Sequence, residues 1–203
     1  MDGFNHNDKE IVFWSETGEV LSQNKYSETH VSSSGGGGHV GRNGGHVRAP
    51  KIKSTTVINH EIWIKKDDGK EKNVKLVGQD IPLREGQRVT LISAGVKGEN
   101  SSYHSVLVNH NANKHWFIND ADSLNQKLKI DLVTGNSVLL AGALWLFLIF
   151  LNQNSAVLLS IETISFVGFV IYKLLTKMPR VRKMKKSLDG HLESLAQQAY
   201  RNV

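Results

Sequence analysis

The sequence contains no cysteine among its 203 residues. This absence excludes disulfide scaffolds, cysteine-ligated zinc sites, iron–sulfur clusters and thiol nucleophiles. The first ten residues are polar and no apolar segment follows them, so we expect no secretory signal peptide here. Catalytic motifs such as HExxH and GxSxG are also missing. We therefore expect a non-enzymatic protein without a cofactor, although catalysis by residues assembled only in the fold stays open at this stage.

Acidic residues are absent from one basic stretch near the C-terminal end. The whole chain has 25 basic and 19 acidic residues, a net charge of +6 and a pI of about 9.5. Without the seven basic residues of this stretch, 18 basic residues remain against 19 acidic ones, so the excess charge is local. Those seven are Lys173, Lys177, Arg180, Arg182, Lys183, Lys185 and Lys186.

This basic stretch begins where a long apolar run ends, which is where the positive-inside rule places charge at a membrane surface. We expect the seven side chains to contact anionic lipid headgroups. No aromatic residue lies among them. Since binding of single-stranded nucleic acid favours such interleaved stacking rings, a nucleic-acid partner is not expected.

Two long apolar runs dominate the C-terminal half. Val138–Leu151 is uninterruptedly apolar or glycine, and counted from Leu132 the run is twenty residues long. A polar break over residues 152–155 separates it from a second twenty-residue run over 156–175. Twenty helical residues span about 30 Å, the thickness of a hydrocarbon core. The pattern predicts a two-helix transmembrane hairpin over residues 132–175.

Both flanks of this hairpin are expected on the cytoplasmic side of the inner membrane, because the flanks are basic and the connecting loop is uncharged. Both chain termini then lie in the cytoplasm. The alternative is a helical hairpin buried in the core of a soluble protein, since fourteen strictly apolar residues is an ambiguous length. The mean hydropathy of −0.29 excludes a wholly embedded protein.

Polar residues interrupt the second run, among them Ser160, Glu162 and Thr163. An ionisable group in hydrocarbon costs about 2–3 kcal/mol, so Glu162 is expected to face protein, water or a partner. One interpretation is an ion pathway or an oligomer contact. The other is a carboxyl group that is protonated or that reaches water near the polar loop.

Residues 54–120 alternate in polarity and predict five short strands joined by polar turns, such as the Asp-Asp-Gly-Lys turn at 67–70. Strands of this size and number are typical of a small barrel or sandwich of the SH3-like or OB-like size. We expect this domain in the cytosol. Residues 1–31 precede it as a β-hairpin region with a turn at 16–18.

A connecting helix is expected over residues 121–131, with Asp120 as its N-cap. Beyond the hairpin, residues 176–203 combine the basic segment with leucines at helical spacing, which predicts an amphipathic tail. The expected fold class is thus α+β, with a small β-domain, a transmembrane hairpin and a short C-terminal amphipathic helix.

Residues 32–53 are rich in glycine, serine and histidine, and Gly-Gly-His-Val occurs at both 37–40 and 44–47. This composition predicts a linker or an irregular loop. Residues 36–41 formally match GxGxxG and nearly match a P-loop. Arg42 and Asn43 stand where a P-loop needs Lys and Ser or Thr, and no buried strand leads into the segment, so nucleotide binding is not expected.

His110 and His115 form the sharpest candidate metal site. They flank a four-residue turn at 111–114, so a hairpin makes them cross-strand neighbours with Cβ atoms about 5 Å apart. Two imidazoles at that spacing can share a zinc ion, but a stable site needs a third or fourth ligand. The alternative is a pair of polar histidines at a hairpin end.

Together these patterns predict a membrane-anchored interaction or sensor protein with a cytosolic β-domain, a lipid bilayer around its hairpin and an unidentified protein partner. The alternative is a homo-oligomeric channel or membrane-perturbing effector, with a pore lined by Ser160, Glu162 and Thr163. A metal or nucleotide sensor using the histidine and glycine segment is the third hypothesis.

Overall fold

The computed structural model describes residues 1–42, 44–132, 136–151 and 155–202. Strands fill most of the N-terminal part and helices follow from residue 121. The elements in chain order are β1 (Phe4–His6), β2 (Lys9–Ser34), β3 (Gly37–Gly41), β4 (Gly44–Arg48), β5 (Lys51–Lys66), β6 (Glu71–Val77), β7 (Arg88–Val96), β8 (Ser102–Asn109), β9 (Lys114–Phe117), α1 (Ala121–Leu128), α2 (Asn136–Leu151) and α3 (Ala156–Arg201).

The main sheet has the strand order β6-β5-β2-β7-β8-β9, and β1 pairs with β2. Strands β2, β5 and β6 pair antiparallel. This confirms the predicted β-domain followed by helices. The path has β6 and β9 at its two ends, so the predicted barrel closure stays a prediction. A hydrogen bond of 3.3 Å, from Nε2 of Gln79 to the carbonyl of Ile118, links the segments that follow these end strands.

The predicted turn at residues 16–18 is wrong, because β2 runs straight through it. Residues 1–31 do contain a hairpin, but β1 and β2 form it, with Phe4 opposite Ile11 and His6 opposite Lys9. Gly18 lies opposite Lys66 on β5. A Cβ on Gly18 would collide with the carbonyl of Lys65 and with the side chain of Ile64. The glycine therefore permits close approach of two strands and does not form a turn.

Most of the described residues of the predicted linker or loop over 32–53 lie in strands. β3 pairs with β4 in a separate two-stranded sheet, with Gly37 opposite Arg48 and Gly41 opposite Gly44. Asn43, one of the residues that departs from the P-loop pattern, lies outside the described residues. Composition misled the prediction here, because cross-strand hydrogen bonds satisfy the backbone even where side chains supply no core.

The chain divides into two compact units. The first comprises Met1–Ser15, Leu91–Leu107 and Asn119–Val203, and its core includes Ile11, Ile92, Leu107, Leu124, Leu188 and Leu192. The second comprises Glu16–Thr90 and Val108–Ile118, and its core includes Val20, Ile62, Val74, Leu76, Ile81 and Val89.

Helix α1 begins as predicted: Asp120 accepts a hydrogen bond of 2.9 Å from the backbone N–H of Ser123. The helix ends at Leu128, short of the predicted residue 131, and its C-cap Lys129 adopts a left-handed conformation with a φ of 50°. The predicted amphipathic tail is the last part of α3 rather than a separate helix. Its leucines at 188, 192 and 195 are buried, as the helical spacing indicated.

Helix α3 is 46 residues long and contains Pro179 in its interior. Among the described residues, α3 is the one helix that is long and apolar enough to cross a membrane. Helix α2 is also apolar but has only 16 residues. Residues 133–135 and 152–154 of the predicted hairpin lie outside the described residues. A two-pass hairpin therefore stays a prediction.

Candidate functional site

Most of the apolar half of α3 is exposed in the described residues. None of the residues in its most apolar window is buried. Ile164 is 72% exposed and Leu175 is 70% exposed, and on α2 Leu139 is 75% exposed. Side chains of this kind are normally buried in water-soluble proteins, so this surface requires a non-aqueous environment or a partner.

Helices α2 and α3 contact each other through aromatic rings. The rings of Trp145 and Phe166 stack with centroids 4.9 Å apart and planes inclined by 11°. Beside them lies an open cavity of about 320 Å³, whose lining includes Leu148, Ile161 and Glu162.

The three predicted intramembrane polar residues do not form one cluster. Glu162 is half-buried and lines the cavity between α2 and α3. Thr163 is exposed and donates a hydrogen bond of 2.8 Å to the carbonyl of Leu159 in its own helix. Ser160 is exposed and lies outside the cavity lining. Of these three residues, Glu162 is thus the one that shares a cavity with side chains of α2.

The second half of α3 packs against the strands of its own unit. Its buried face consists of small and aliphatic side chains: Val181, Met184, Leu188, Leu192, Leu195, Ala196 and Ala199. The ring of His191 lies 5.8 Å from that of Phe4 and 5.2 Å from that of Phe13. One helix therefore carries a largely exposed apolar half and a docked amphipathic half.

A buried carboxylate lies where these two halves meet. The Asp131 side chain is 6% exposed, and its Oδ2 lies 3.0 Å from Nε2 of His6 and 3.1 Å from Nε of Arg180. Asn125 fixes the Asp131 backbone: its Oδ1 accepts the N–H of Asp131 at 2.7 Å and its Nδ2 donates to the Asp131 carbonyl at 3.0 Å. This Asp131 cluster joins a strand end, a helix end and α3.

Sequence reasoning missed the Asp131 cluster. His6 and Asp131 are 125 residues apart, and no local pattern marks either as a partner of the other. Only Arg180 was singled out, as one of seven basic residues at the membrane surface.

The structure divides those seven basic residues between two roles. Lys177 donates to the carbonyl of Leu132 at 3.1 Å, and Lys185 forms an ion pair with Asp122. Like Arg180, both therefore connect α3 to α1 and the segment that follows it. The ammonium of Lys173 lies 5.5 Å from the centre of the Phe169 ring. The remaining basic side chains are exposed on α3: Arg182, Lys183 and Lys186.

The two candidate metal ligands make other contacts. Nε2 of His110 lies 2.8 Å from the hydroxyl of Thr90, and burial, with a contribution from Arg88, lowers the pKa of this imidazole. His115 lies on β9 with its ring edge-on to Phe117, 5.3 Å between centroids. Within the residues that the structure describes, no group of three or more His, Asp or Glu is placed to hold a metal ion. The two-histidine zinc site stays a prediction.

The paired ends of β2 and β5, with the β3–β4 hairpin between them, form an arm that we call the β-arm (residues 27–42 and 44–58). The pairing runs from Ser27 opposite Ile58 to Ser34 opposite Lys51. Nearly every residue of these two strand ends is exposed, including Val31 at 66% and Ile52 at 69%. At about 3.3 Å per residue, the β2 part of the arm is about 25 Å long.

Comparisons with protein-family models, with curated proteins and with solved structures find no match for this chain.

Proposed function

We propose that this chain is a membrane-anchored, non-enzymatic interaction protein. In this proposal α2 and the apolar half of α3 lie in the lipid bilayer of the inner membrane as a two-helix hairpin. The β-domain stands on the cytoplasmic side and presents the β-arm to a protein partner. The observation that carries the proposal is the division of α3 into an exposed apolar half and a docked amphipathic half within one helix.

The exposure of these helices supports the membrane interpretation of the apolar runs over the alternative of a soluble core. Helices of a soluble core bury their apolar side chains against the rest of the protein. Here Val157 is 70% exposed and Phe150 is 69% exposed. Water makes such exposure costly, by about 25 cal/mol for each Å² of apolar surface, whereas lipid does not. The exposure supports lipid as the surroundings of both helices.

The charge distribution supports the proposed orientation. The apolar half of α3 is followed by basic side chains, of which Lys177, Arg180 and Lys185 contact α1 and the segment that joins it to α2. Basic residues next to a membrane span favour the cytoplasmic side. The domain and the basic segment therefore belong on the same side, which we propose is the cytoplasm.

The β-arm supports an interaction role, because it is exposed on both faces. A strand pair that buries no core contributes little to domain stability, yet the two strands of the arm stay in register over eight β2–β5 pairs from Ser27 to Ser34. Extended arms of this kind offer backbone and side chains to a partner chain. A photo-crosslinking amino acid at Val31 should give a protein adduct in native membranes, whereas one in the exposed turn at Glu99 should not. Identical adduct patterns at both positions would count against the β-arm.

Arginine substitutions at two matched isoleucines test the membrane anchor. Ile164 on α3 is 72% exposed and Ile52 on the β-arm is 69% exposed. An arginine at the centre of a membrane helix costs about 3 kcal/mol, so Ile164→Arg should move the protein out of the alkaline-carbonate-resistant membrane fraction. Ile52→Arg should leave the distribution unchanged. A wild-type protein that remains in the supernatant would refute the anchor.

The channel is the second candidate function, and the position of Glu162 favours it. This carboxyl group lines a cavity of about 320 Å³ instead of facing lipid. If several hairpins assemble around such cavities, liposomes containing the protein should conduct ions, and Glu162→Gln should change the conductance. A monomer in detergent together with silent bilayers would eliminate the channel.

A further inference from the structure

A pocket of about 320 Å³ lies between β1 and α3 in the first compact unit, and we call it the basal pocket. Its polar lining consists of side chains that can donate hydrogen bonds: Asn5, His6, Arg180, Lys183 and Ser187. Phe4 and Met184 complete the lining. Among the described residues that line the pocket there is no carboxylate, so the pocket is suited to an anion.

Asp131 holds two of the hydrogen-bond donors that line the basal pocket, Arg180 and His6, in fixed positions. Oδ2 of Asp131 lies 3.1 Å from Nε of Arg180 and 3.0 Å from Nε2 of His6. A guanidinium has five N–H donors in a rigid plane, so an ion pair through Nε leaves the terminal NH₂ groups available for a second anion. The Arg180 side chain is 52% exposed, which leaves these groups accessible. Asp131 therefore orients Arg180 and leaves its terminal NH₂ groups available to bind an anion.

The spacing along α3 places the basal pocket beside the membrane surface. Arg180 and Lys183 follow Leu175 by five and eight residues, which corresponds to about 7 and 12 Å of helix rise. The polar layer on each side of a bilayer is about 5–7 Å thick. Side chains of a helix lean toward its N-terminus, which on α3 is the direction of the apolar half. Both cations thus lean toward the headgroup layer.

We propose that the basal pocket binds the phosphate of an anionic phospholipid headgroup. Arg180 and Lys183 supply the charge, and Asn5 and Ser187 supply neutral hydrogen bonds to the phosphate oxygens. Phe4 and Met184 contact the glycerol part of the lipid. This inference rests on the proposed membrane anchoring, and it adds a defined lipid contact to the general attraction between basic residues and an anionic surface.

Lys183 and Lys186 provide a matched pair for the test. Both are exposed on α3 and carry the same charge three residues apart, but only Lys183 lines the pocket. The probes are dihexanoyl-phosphatidylglycerol, dihexanoyl-phosphatidylcholine and inorganic phosphate, titrated calorimetrically into the full-length protein in a nonionic detergent. We expect the anionic lipid to bind, the zwitterionic lipid to bind at least tenfold more weakly, and inorganic phosphate not to compete at equal concentration.

Lys183→Glu should weaken binding of the anionic lipid about tenfold or more, because it replaces a charge-assisted hydrogen bond with repulsion. Lys186→Glu should weaken it less than about threefold, through the change in net charge alone. Equal losses in the two variants would overturn the pocket in favour of diffuse attraction. If inorganic phosphate competed with an affinity equal to that of the lipid, the proposal of a lipid ligand would be overturned and a soluble phosphate ligand indicated. Absence of binding by all three probes would also overturn the proposal that the basal pocket binds a headgroup phosphate.

Failure of this inference is distinguishable from failure of the anchor. Lys183→Glu leaves the apolar half of α3 unchanged and should remain in the membrane fraction after alkaline extraction. A variant that loses lipid binding yet stays in the membrane supports both proposals. Loss of the wild-type protein from the membrane fraction would refute the anchor, and with it the basal pocket as a headgroup site, whatever the titrations show.

Discussion

Asp131 is the side chain that most directly ties the helices to the strands of its unit. Its carboxylate is almost fully buried and contacts both His6 and Arg180, while Asn125 holds its backbone. Removing one member of a buried charge cluster leaves the others without compensation. We expect Asp131→Asn to lower the free energy of unfolding by about 1–3 kcal/mol, measured by urea denaturation in detergent.

The exposed pair of Lys25 and Asp80 is the control for this substitution. Its carboxylate is 60% exposed, and exposed ion pairs contribute little to stability because water and salt screen them. Asp80→Asn should therefore leave the urea midpoint within experimental error. A loss as large as that of Asp131→Asn would show that burial does not set the strength of these pairs.

His60 makes the second compact unit sensitive to pH. Its ring is fully buried and Nε2 contacts Gln23 at 2.9 Å. Burial, with a contribution from Lys25, lowers the pKa of His60 in the folded state. The unfolded chain therefore binds the proton first as the pH falls. Stability should be highest above about pH 6.5 and should decrease below it.

Denaturation midpoints measured between about pH 8 and pH 5.5 test whether stability decreases as the pH falls. His60→Gln should be less stable at high pH, because a buried ring is lost, but its stability should depend less on pH. Some slope should persist, since burial also lowers the pKa of His110. His30→Gln, on the exposed β-arm, should keep the wild-type slope. An unchanged slope in His60→Gln would contradict the assignment.

Among the elements, β2 and α3 show that glycine has opposite roles in this chain. A Cβ on Gly18 would meet the carbonyl of Lys65, whereas a Cβ on Gly190 of α3 has no atom within 4 Å. Alanine in an exposed helix interior is about 1 kcal/mol more favourable than glycine. Gly190→Ala should therefore stabilise the protein by about that amount, while Gly18→Ala should destabilise it by about 1–3 kcal/mol. Urea midpoints that move in the same direction would contradict these contacts.

For the whole molecule, the sequence predicts elements better than it predicts their partners. Short apolar stretches between polar turns located β7 and β8, and the leucines at 188, 192 and 195 located the amphipathic part of α3. Those signals are local in the sequence. The predicted turn at 16–18 was wrong because a turn and a close strand contact both favour glycine, and only the neighbouring strand distinguishes them.

The candidate site was predictable only in part, for the same reason. The basic residues after the apolar run were visible in the sequence. Which of them contact the domain was not, because the partners of Arg180 and Lys177 lie at Asp131 and Leu132, about 45–50 residues away along the chain. The basal pocket depends on β1, at the opposite end of the sequence.

The division of α3 between lipid and protein can be measured most directly with spin labels, because the chain has no cysteine that would compete for labelling. Single cysteines at Ile164 and Lys186, both exposed, are labelled and the full-length protein is reconstituted in bilayers. The label at 164 should be relaxed strongly by oxygen and weakly by a water-soluble nickel chelate, and the label at 186 should show the reverse. Strong relaxation of the label at 164 by the nickel chelate would contradict the membrane anchor.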